Sequence, residues 1–211
     1  ITTTPGTLTI TQATKEVIVT ITEHSGSTTY DGTEHTVTGY DVSISNPLYK
    51  ETDFTFSGKA EVKGTDAGSY GMELKAKDFT NTNTNFANVT FVIVDGTLTI
   101  SKKPVTFTGE SGSKLYNGKL QTLTGVTAEG LLDGHTHNVE AKAEGTNVGS
   151  YPGTITAAKD VQIMAGEQDV TKNYEITTTP GTLTITQKTD KLIVTITGNS
   201  DTVGYDGKSH E

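Results

Sequence analysis

Several stretches of the chain alternate between apolar and polar side chains. In residues 16–22, 54–63 and 70–76, apolar residues recur at every second position, as with Val17, Val19 and Ile21. A period of two residues indicates a β-strand with one buried face. No segment shows the 3.6-residue period of a helix, so the pattern predicts an all-β protein, with single helical turns at most in 157–164 and 131–132.

Shorter apolar runs predict the remaining strands, which lie at 1–12, 35–40, 89–94, 97–100, 174–179 and 182–187. Residues 41–53 contain Asn46-Pro47 and are predicted to be an irregular surface loop. Gly58, inside the 54–63 strand, indicates a bulge or a close approach of another group. The segment around His135 and His137 is predicted to be a turn.

The chain repeats itself. ITTTPGTLTITQ at 1–12 returns at 176–187, and aligning 176–211 with 1–36 gives 23 identities in 36 positions at an offset of 175 residues. TLTI at 97–100 divides this long period into two related units of roughly 85 to 90 residues, each large enough for its own core. We therefore predict a first β-sandwich repeat at 16–102 and a second at 103–188. Residues 1–15 would be the closing strand of a preceding repeat, and 189–211 the opening strands of a following one.

The junction between the units predicts their arrangement. Only three or four residues separate the closing strand of one unit from the opening strand of the next. Pro104 fixes its own φ and biases Lys103 toward extended geometry, so the units are expected to stack end to end as a rod. The apolar strands at the two chain ends are expected to dock on the adjacent unit or on another chain by strand addition.

Two sets of landmarks recur in order. Tripeptides typical of tight turns occur at Tyr30-Asp31-Gly32, Tyr116-Asn117-Gly118 and Tyr205-Asp206-Gly207. Their glycine can adopt the positive φ that such turns require. The tyrosines Tyr30, Tyr116 and Tyr205 either anchor these turns by packing on the neighbouring glycine or offer flat surfaces for sugars. Recurrence in every unit favours the structural role.

The second landmark lies in the middle of each unit. It runs Asp66-Ala67-Gly68-Ser69-Tyr70 in the first and Asn147-Val148-Gly149-Ser150-Tyr151 in the second. This spacing is typical of the tyrosine corner of immunoglobulin-like sandwiches, in which the hydroxyl bonds to upstream backbone. We therefore predict tandem immunoglobulin-like antiparallel β-sandwich domains arranged end to end.

The amino-acid composition excludes several classes of partner and binding site. Threonine provides 43 of the 211 residues, which favours strands, and the net charge is −9. An acidic chain lacks the basic face that nucleic acid or anionic lipid requires, and no apolar run reaches the roughly 18 residues of a membrane span. There is no cysteine, which excludes disulfides and thiolate metal sites.

Candidate chemistry is sparse. No catalytic motif is present, so we expect neither an enzyme nor a cofactor. His135, His137 and Asp133 could approach a metal if they lay on one strand face, but the surrounding sequence is typical of a turn and favours solvated histidines over a metal site. An intramolecular isopeptide bond would need Lys15 or Lys103 beside Asn88 or Asn173, and the alternation places no acid next to them; intact mass tests this, because each bond removes about 17 Da.

The YDG turn, the x-D/N-A/V-G-S-Y corner and the closing N-Y-x-I…G-T-L-T-I strand together resemble the MBG (mostly beta, glycine-rich) or YDG-type modules of large bacterial surface proteins. The first unit departs from this pattern at Asn88-Val89-Thr90-Phe91. The resemblance implies an extracellular spacer, secreted or attached to a Gram-positive cell wall, whose partners are neighbouring repeats. Two alternatives remain open: a module that binds a host glycan or protein, and an accessory segment of a large secreted enzyme.

Overall fold

The structure, a computed structural model, describes residues 1–211. It contains 22 β-strands and no α-helix, which confirms the all-β prediction. Short 3₁₀ turns lie at Glu51–Asp53, Ala76–Asp78, Ala158–Asp160 and Thr171–Asn173.

The strands form two sets that follow each other along the chain. The first set is β1 (Val17–Glu23), β2 (Gly26–Thr29), β3 (His35–Thr38), β4 (Tyr40–Ile44), β5 (Phe54–Phe56), β6 (Glu61–Gly64), β7 (Gly68–Gly71), β8 (Phe79–Asn81), β9 (Val89–Val94) and β10 (Thr97–Ser101).

The second set is β11 (Lys103–Gly109), β12 (Gly112–Leu115), β13 (Gln121–Thr124), β14 (Val126–Glu129), β15 (His135–His137), β16 (Ala141–Gly145), β17 (Gly149–Pro152), β18 (Thr154–Ile155), β19 (Ile163–Ala165), β20 (Gln168–Asp169), β21 (Tyr174–Thr179) and β22 (Thr182–Thr186). No strand pairing joins the two sets, which we call the first and second units.

Both units pair their opening and closing strands in the same way. The first unit has the sheet orders β4-β1-β9 and β2-β10-β7, and the second has β14-β11-β21 and β12-β22-β17. In each unit the two opening strands run parallel to the two closing strands, as β1 does with β9 and β2 with β10. We expected a purely antiparallel sandwich, and these parallel pairs show that this part of the prediction is wrong. The immunoglobulin-like, end-to-end arrangement stays a prediction.

A serine and a glycine fix the point where the chain crosses between these sheets. The Ser25 hydroxyl accepts a hydrogen bond from the Thr97 amide, and Ser111 accepts from Thr182 in the same way. A Cβ on Gly96 would lie 2.3 Å from the carbonyl oxygen of His24. A larger residue would push the two crossing segments apart.

The side-chain alternation correctly identifies the core of the opening strands. Val17, Val19 and Ile21 are fully buried, and they belong to a connected apolar cluster that continues into the second unit through Val105 and Phe107. A separate small cluster of Ala143, Leu183 and Ile185 lies elsewhere in the second unit. The buried apolar interior thus runs across the boundary between the units.

Three strand predictions are corrected by the structure. The 54–63 strand is interrupted after Phe56, because Gly58 lies against the Phe56 ring at a distance where a Cβ would be 2.8 Å away. The 70–76 strand ends at Gly71, and Glu73 takes a positive φ of 62°. The loop predicted at 41–53 begins only after β4, since that strand pairs with β1 through Ile44.

The chain ends also differ from expectation. Residues 1–12 and 187–211 contain no strand, and their apolar side chains, such as Leu8 and Ile196, are almost fully exposed. The expected docking of these ends on the adjacent unit is therefore wrong. Pairing of strands stops at the Ala13–Phe86 bridge on one side and at Thr186 on the other.

Candidate functional site

The two tyrosine corners have the predicted hydrogen bonds. The Tyr70 hydroxyl donates to the Asp66 carbonyl oxygen at 2.8 Å, and the Tyr151 hydroxyl donates to the Asn147 carbonyl oxygen at 2.8 Å. The Tyr70 ring covers Gly64, where a Cβ would lie 2.5 Å from the ring. Each corner thereby fixes the loop before the strand that starts at Gly68 or Gly149.

The first corner also binds the second unit. The Asp66 carboxylate accepts a hydrogen bond from the Asn173 side-chain amide at 2.8 Å, and the Ala67 backbone amide donates to the Asn173 side-chain oxygen at 2.8 Å. Lys172 adds an ion pair with Asp66 at 2.8 Å. Asn173 is fully buried, so both ends of its amide are paired inside the contact.

The charges at this contact favour the ionised pair. Hydrogen bonds from Lys172 and then from Asn173 lower the pKa of Asp66 below its ordinary value, and the Asp66 carboxylate raises the pKa of Lys172. The Lys172 side chain is 65% exposed, so solvent screens this ion pair and most of the stabilisation comes from the buried amide.

An aromatic group completes the contact. The ring of Tyr30, from the YDG turn, meets the ring of Tyr174 edge to face with centroids 5.6 Å apart. The Tyr174 hydroxyl accepts a hydrogen bond from the Leu132 amide and lies 2.8 Å from His135 Nδ1. Burial raises the pKa of Tyr174. Edge-to-face aromatic pairs of this kind stabilise interfaces beyond the area that they bury.

The three turn tyrosines differ in exposure. Tyr30 is only 3% exposed, whereas Tyr116 is 39% and Tyr205 is 100% exposed. The predicted packing of Tyr30 on Gly32 is therefore replaced by packing on Tyr174, although Gly32 and Gly118 do have the expected positive φ. With its ring buried, Tyr30 has no free face for a sugar.

A family model for the MBG domain matches residues 17–102. The first unit is an MBG domain. The match runs from the start of β1 to just beyond β10. No curated protein and no solved structure matches the chain. The chain has no helix of the length and hydropathy needed to cross a membrane.

His135 and His137, the candidate metal ligands, contact other groups in the structure. Contrary to the predicted turn, His135 and His137 lie on strand β15, which pairs with β19. His135 faces Tyr174, and His137 packs on the Phe107 ring while its Nδ1 accepts from the Val139 amide at 3.2 Å. Asp133 is exposed outside the strand, and no group of three metal-ligating side chains forms.

The remaining candidate residues are Pro104, Asn88 and Asn173, and each has a structural role. Pro104 lies inside β11, which starts one residue after the MBG domain's last strand, with Lys102 alone between them. The Asn88 amide donates to the Thr14 carbonyl oxygen, while that of Asn173 binds Asp66. The isopeptide pairs with Lys15 or Lys103, which the sequence disfavours, remain for intact mass to test.

Sequence reasoning missed Lys172 and the contact role of Asn173. Both lie in a 3₁₀ turn, Thr171–Asn173, where no side-chain periodicity indicates burial. Comparison of the repeats offers no signal for this contact, because Val170-Thr171-Lys172 before Asn173 differ at every position from Asn85-Phe86-Ala87 before the matching Asn88.

Proposed function

We propose that the chain is a non-catalytic spacer, part of the stalk of a bacterial surface adhesin that projects or presents a binding domain. The MBG domain is a repeat module of surface proteins, and the proposal extends that coarser assignment to the whole chain. The spacer would be extracellular, secreted or attached to the cell wall, and its partners would be neighbouring repeats.

The contact between the units is the observation that carries this proposal. A spacer that projects a distant domain must resist bending at each boundary between repeats. Here the boundary has a one-residue connection, a buried amide bonded on both sides and an aromatic pair. Such a contact restricts the rotation of one unit against the other, because each bond would have to break for the units to swing.

Small-angle scattering of the chain tests the spacer. We expect an elongated distance distribution whose maximum extent is at least about three times the cross-section, given strands that rise about 3.3 Å per residue. The Asn173→Ala variant has the same chain ends as the wild type. A difference in extent between the two proteins therefore measures the contribution of the contact. A compact wild-type particle, with the units side by side, would contradict the proposal.

A further inference from the structure

The second unit carries an open groove of about 800 Å³. The apolar part of its lining includes Val126, Val139 and Ile155, all buried or half-buried, and the rest of the lining is mostly polar. Exposed polar side chains such as Thr154 and Lys142 surround it. A groove of this volume, with apolar side chains to bury part of a ligand and polar groups to orient it, has the size of a ligand site.

The MBG domain shows what the same place holds when it is filled. Tyr40 begins β4 opposite Glu23, as Val126 begins the stretch of β14 opposite Gly109. Phe56 lies opposite Phe79 in the β5–β8 pair, as His137 lies opposite Ile163 in the β15–β19 pair. These pairings assign Val126 and His137 to the places of Tyr40 and Phe56.

Aromatic rings close this place in the MBG domain. The Tyr40 ring meets the rings of Phe56 and Phe79 edge to face, at 5.3 and 5.5 Å, and Phe56 stacks on Phe79 at 4.8 Å. The second unit has valine, histidine and isoleucine at the three positions. Val126 and His137 line the groove, so the groove includes the space that the rings of Tyr40 and Phe56 fill in the related unit.

An unpaired strand edge lies beside the groove. Strand β18, which contributes Thr154 and Ile155 to the lining, is at the end of the sheet order β13-β16-β18 and pairs with β16 alone. Its outer side can receive the backbone of an extended peptide, which is a common way for β-proteins to bind partners.

We propose that this groove binds a tyrosine side chain of an extended partner peptide, whose ring takes the place of Tyr40 and whose backbone runs along β18. The exposed Thr124 hydroxyl at the groove provides a partner for the phenol oxygen. A sugar is disfavoured as the ligand because the lining contains no tyrosine, tryptophan or phenylalanine on which it would stack.

A titration of the isotope-labelled chain followed by NMR tests the site. The probe is a blocked pentapeptide of sequence threonine, valine, tyrosine, valine, threonine, and the matched control has alanine at the centre. We expect shifts at the amides of Val126, Val139 and Ile155, with a Kd on the order of 1 mM for so short a ligand. The alanine peptide should bind at least about tenfold more weakly, because the ring provides most of the buried area.

Three variants exchange residues between the two units. Val126→Tyr should close the groove and weaken binding by about tenfold or more, and His137→Phe serves as the second closing variant if the first fails to fold. Tyr40→Val should open the MBG domain, so that peptide-induced shifts also appear at Phe56 and Phe79. Equal binding of the alanine peptide, unchanged binding by the closed variants, or shifts caused by methyl glucoside instead of the peptide would overturn the proposal.

Discussion

Tyr30 and Tyr174 belong to different units, yet each ring depends on the other for its environment. Their centroids lie 5.6 Å apart in an edge-to-face pair, and Tyr30 is 3% exposed. Tyr116, which occupies the same turn in the second unit, is 39% exposed. The tyrosine of the first YDG turn is thus buried by the second unit and not by its own turn.

Removing the buried amide should loosen the boundary between the units. In Asn173→Ala, the Asp66 carboxylate and the Ala67 amide lose their partner, and we expect a loss of about 1–3 kcal/mol for the groups left unpaired. Residual dipolar couplings measure the result. The wild-type units should share one alignment tensor, whereas the variant units should require two.

Asn88→Ala is the matched control, since Asn88 occupies the same position in the MBG domain and donates to the Thr14 carbonyl oxygen instead of to another unit. It should leave the shared alignment intact. If Asn173→Ala behaves like this control, the amide does not hold the units together.

The contact should weaken in acid. The pKa of Asp66 lies below its ordinary value of 3.8, so the contact favours the carboxylate over the acid. Its contribution to stability is complete above pH 3.8, falls as the pH drops below that value and is lost once the pH passes the folded pKa.

Melting temperatures of the wild type and Asp66→Asn, compared from about pH 6 to about pH 2, check this expectation. Asp31, whose pKa is lowered to about 2 by hydrogen bonds from Thr33 and His35, titrates in the same region but is present in both proteins. The difference between the two melting curves should shrink on acidification, and a difference independent of pH would exclude Asp66 as the titrating group.

The tyrosine corners should each contribute to the stability of their own unit. Tyr70→Phe and Tyr151→Phe remove a hydroxyl that donates to a carbonyl oxygen at 2.8 Å, and each should cost about 1 kcal/mol. Thermal unfolding provides the measurement, with Tyr116→Phe as an exposed control. Unchanged melting of both corner variants would remove the main support for an immunoglobulin-like corner.

Glu23 should be unusually sensitive for a glutamate. It is 4% exposed, and its two carboxylate oxygens accept the backbone amides of Leu74 and Gly96 at 2.7 and 2.8 Å. Glu23→Gln replaces one acceptor by a donor that faces an amide, so we expect a loss of about 2 kcal/mol. Denaturant unfolding measures it, and Glu34→Gln, at an exposed pair with Lys63, should have little effect.

Sequence predicted those features that rest on local patterns. Alternation identified Val17, Val19 and Ile21, and residue spacing identified the hydrogen bonds of Tyr70 and Tyr151. The same alternation places Glu23 on the inward face of β1, but a charged residue there has meaning only once the amides of Leu74 and Gly96 are known to surround it.

Pairing across long distances could not be predicted in this way. Asp66 and Asn173 are 107 residues apart, and no period relates them. The close approach expected at Gly58 is present, since the ring of Phe56 lies against it, but the end of the strand after Phe56 could not be predicted because the alternation resumes in phase at Ala60 and Val62. Side-chain patterns report which face is buried and leave open which strand provides the partner.

The parallel pairing of opening and closing strands bears on how each unit would respond to tension along the chain. When the two termini are pulled apart, β1 slides along β9 toward the N-terminus and β10 slides along β2 toward the C-terminus. The β1–β9 pair includes Val17–Thr22, and the β2–β10 pair includes Gly26–Thr29. Hydrogen bonds that lie across the direction of the pull are strained together and cannot open one at a time. Each unit should therefore rupture in a single high-force event when stretched by atomic force microscopy; gradual opening at low force would show that the strands peel.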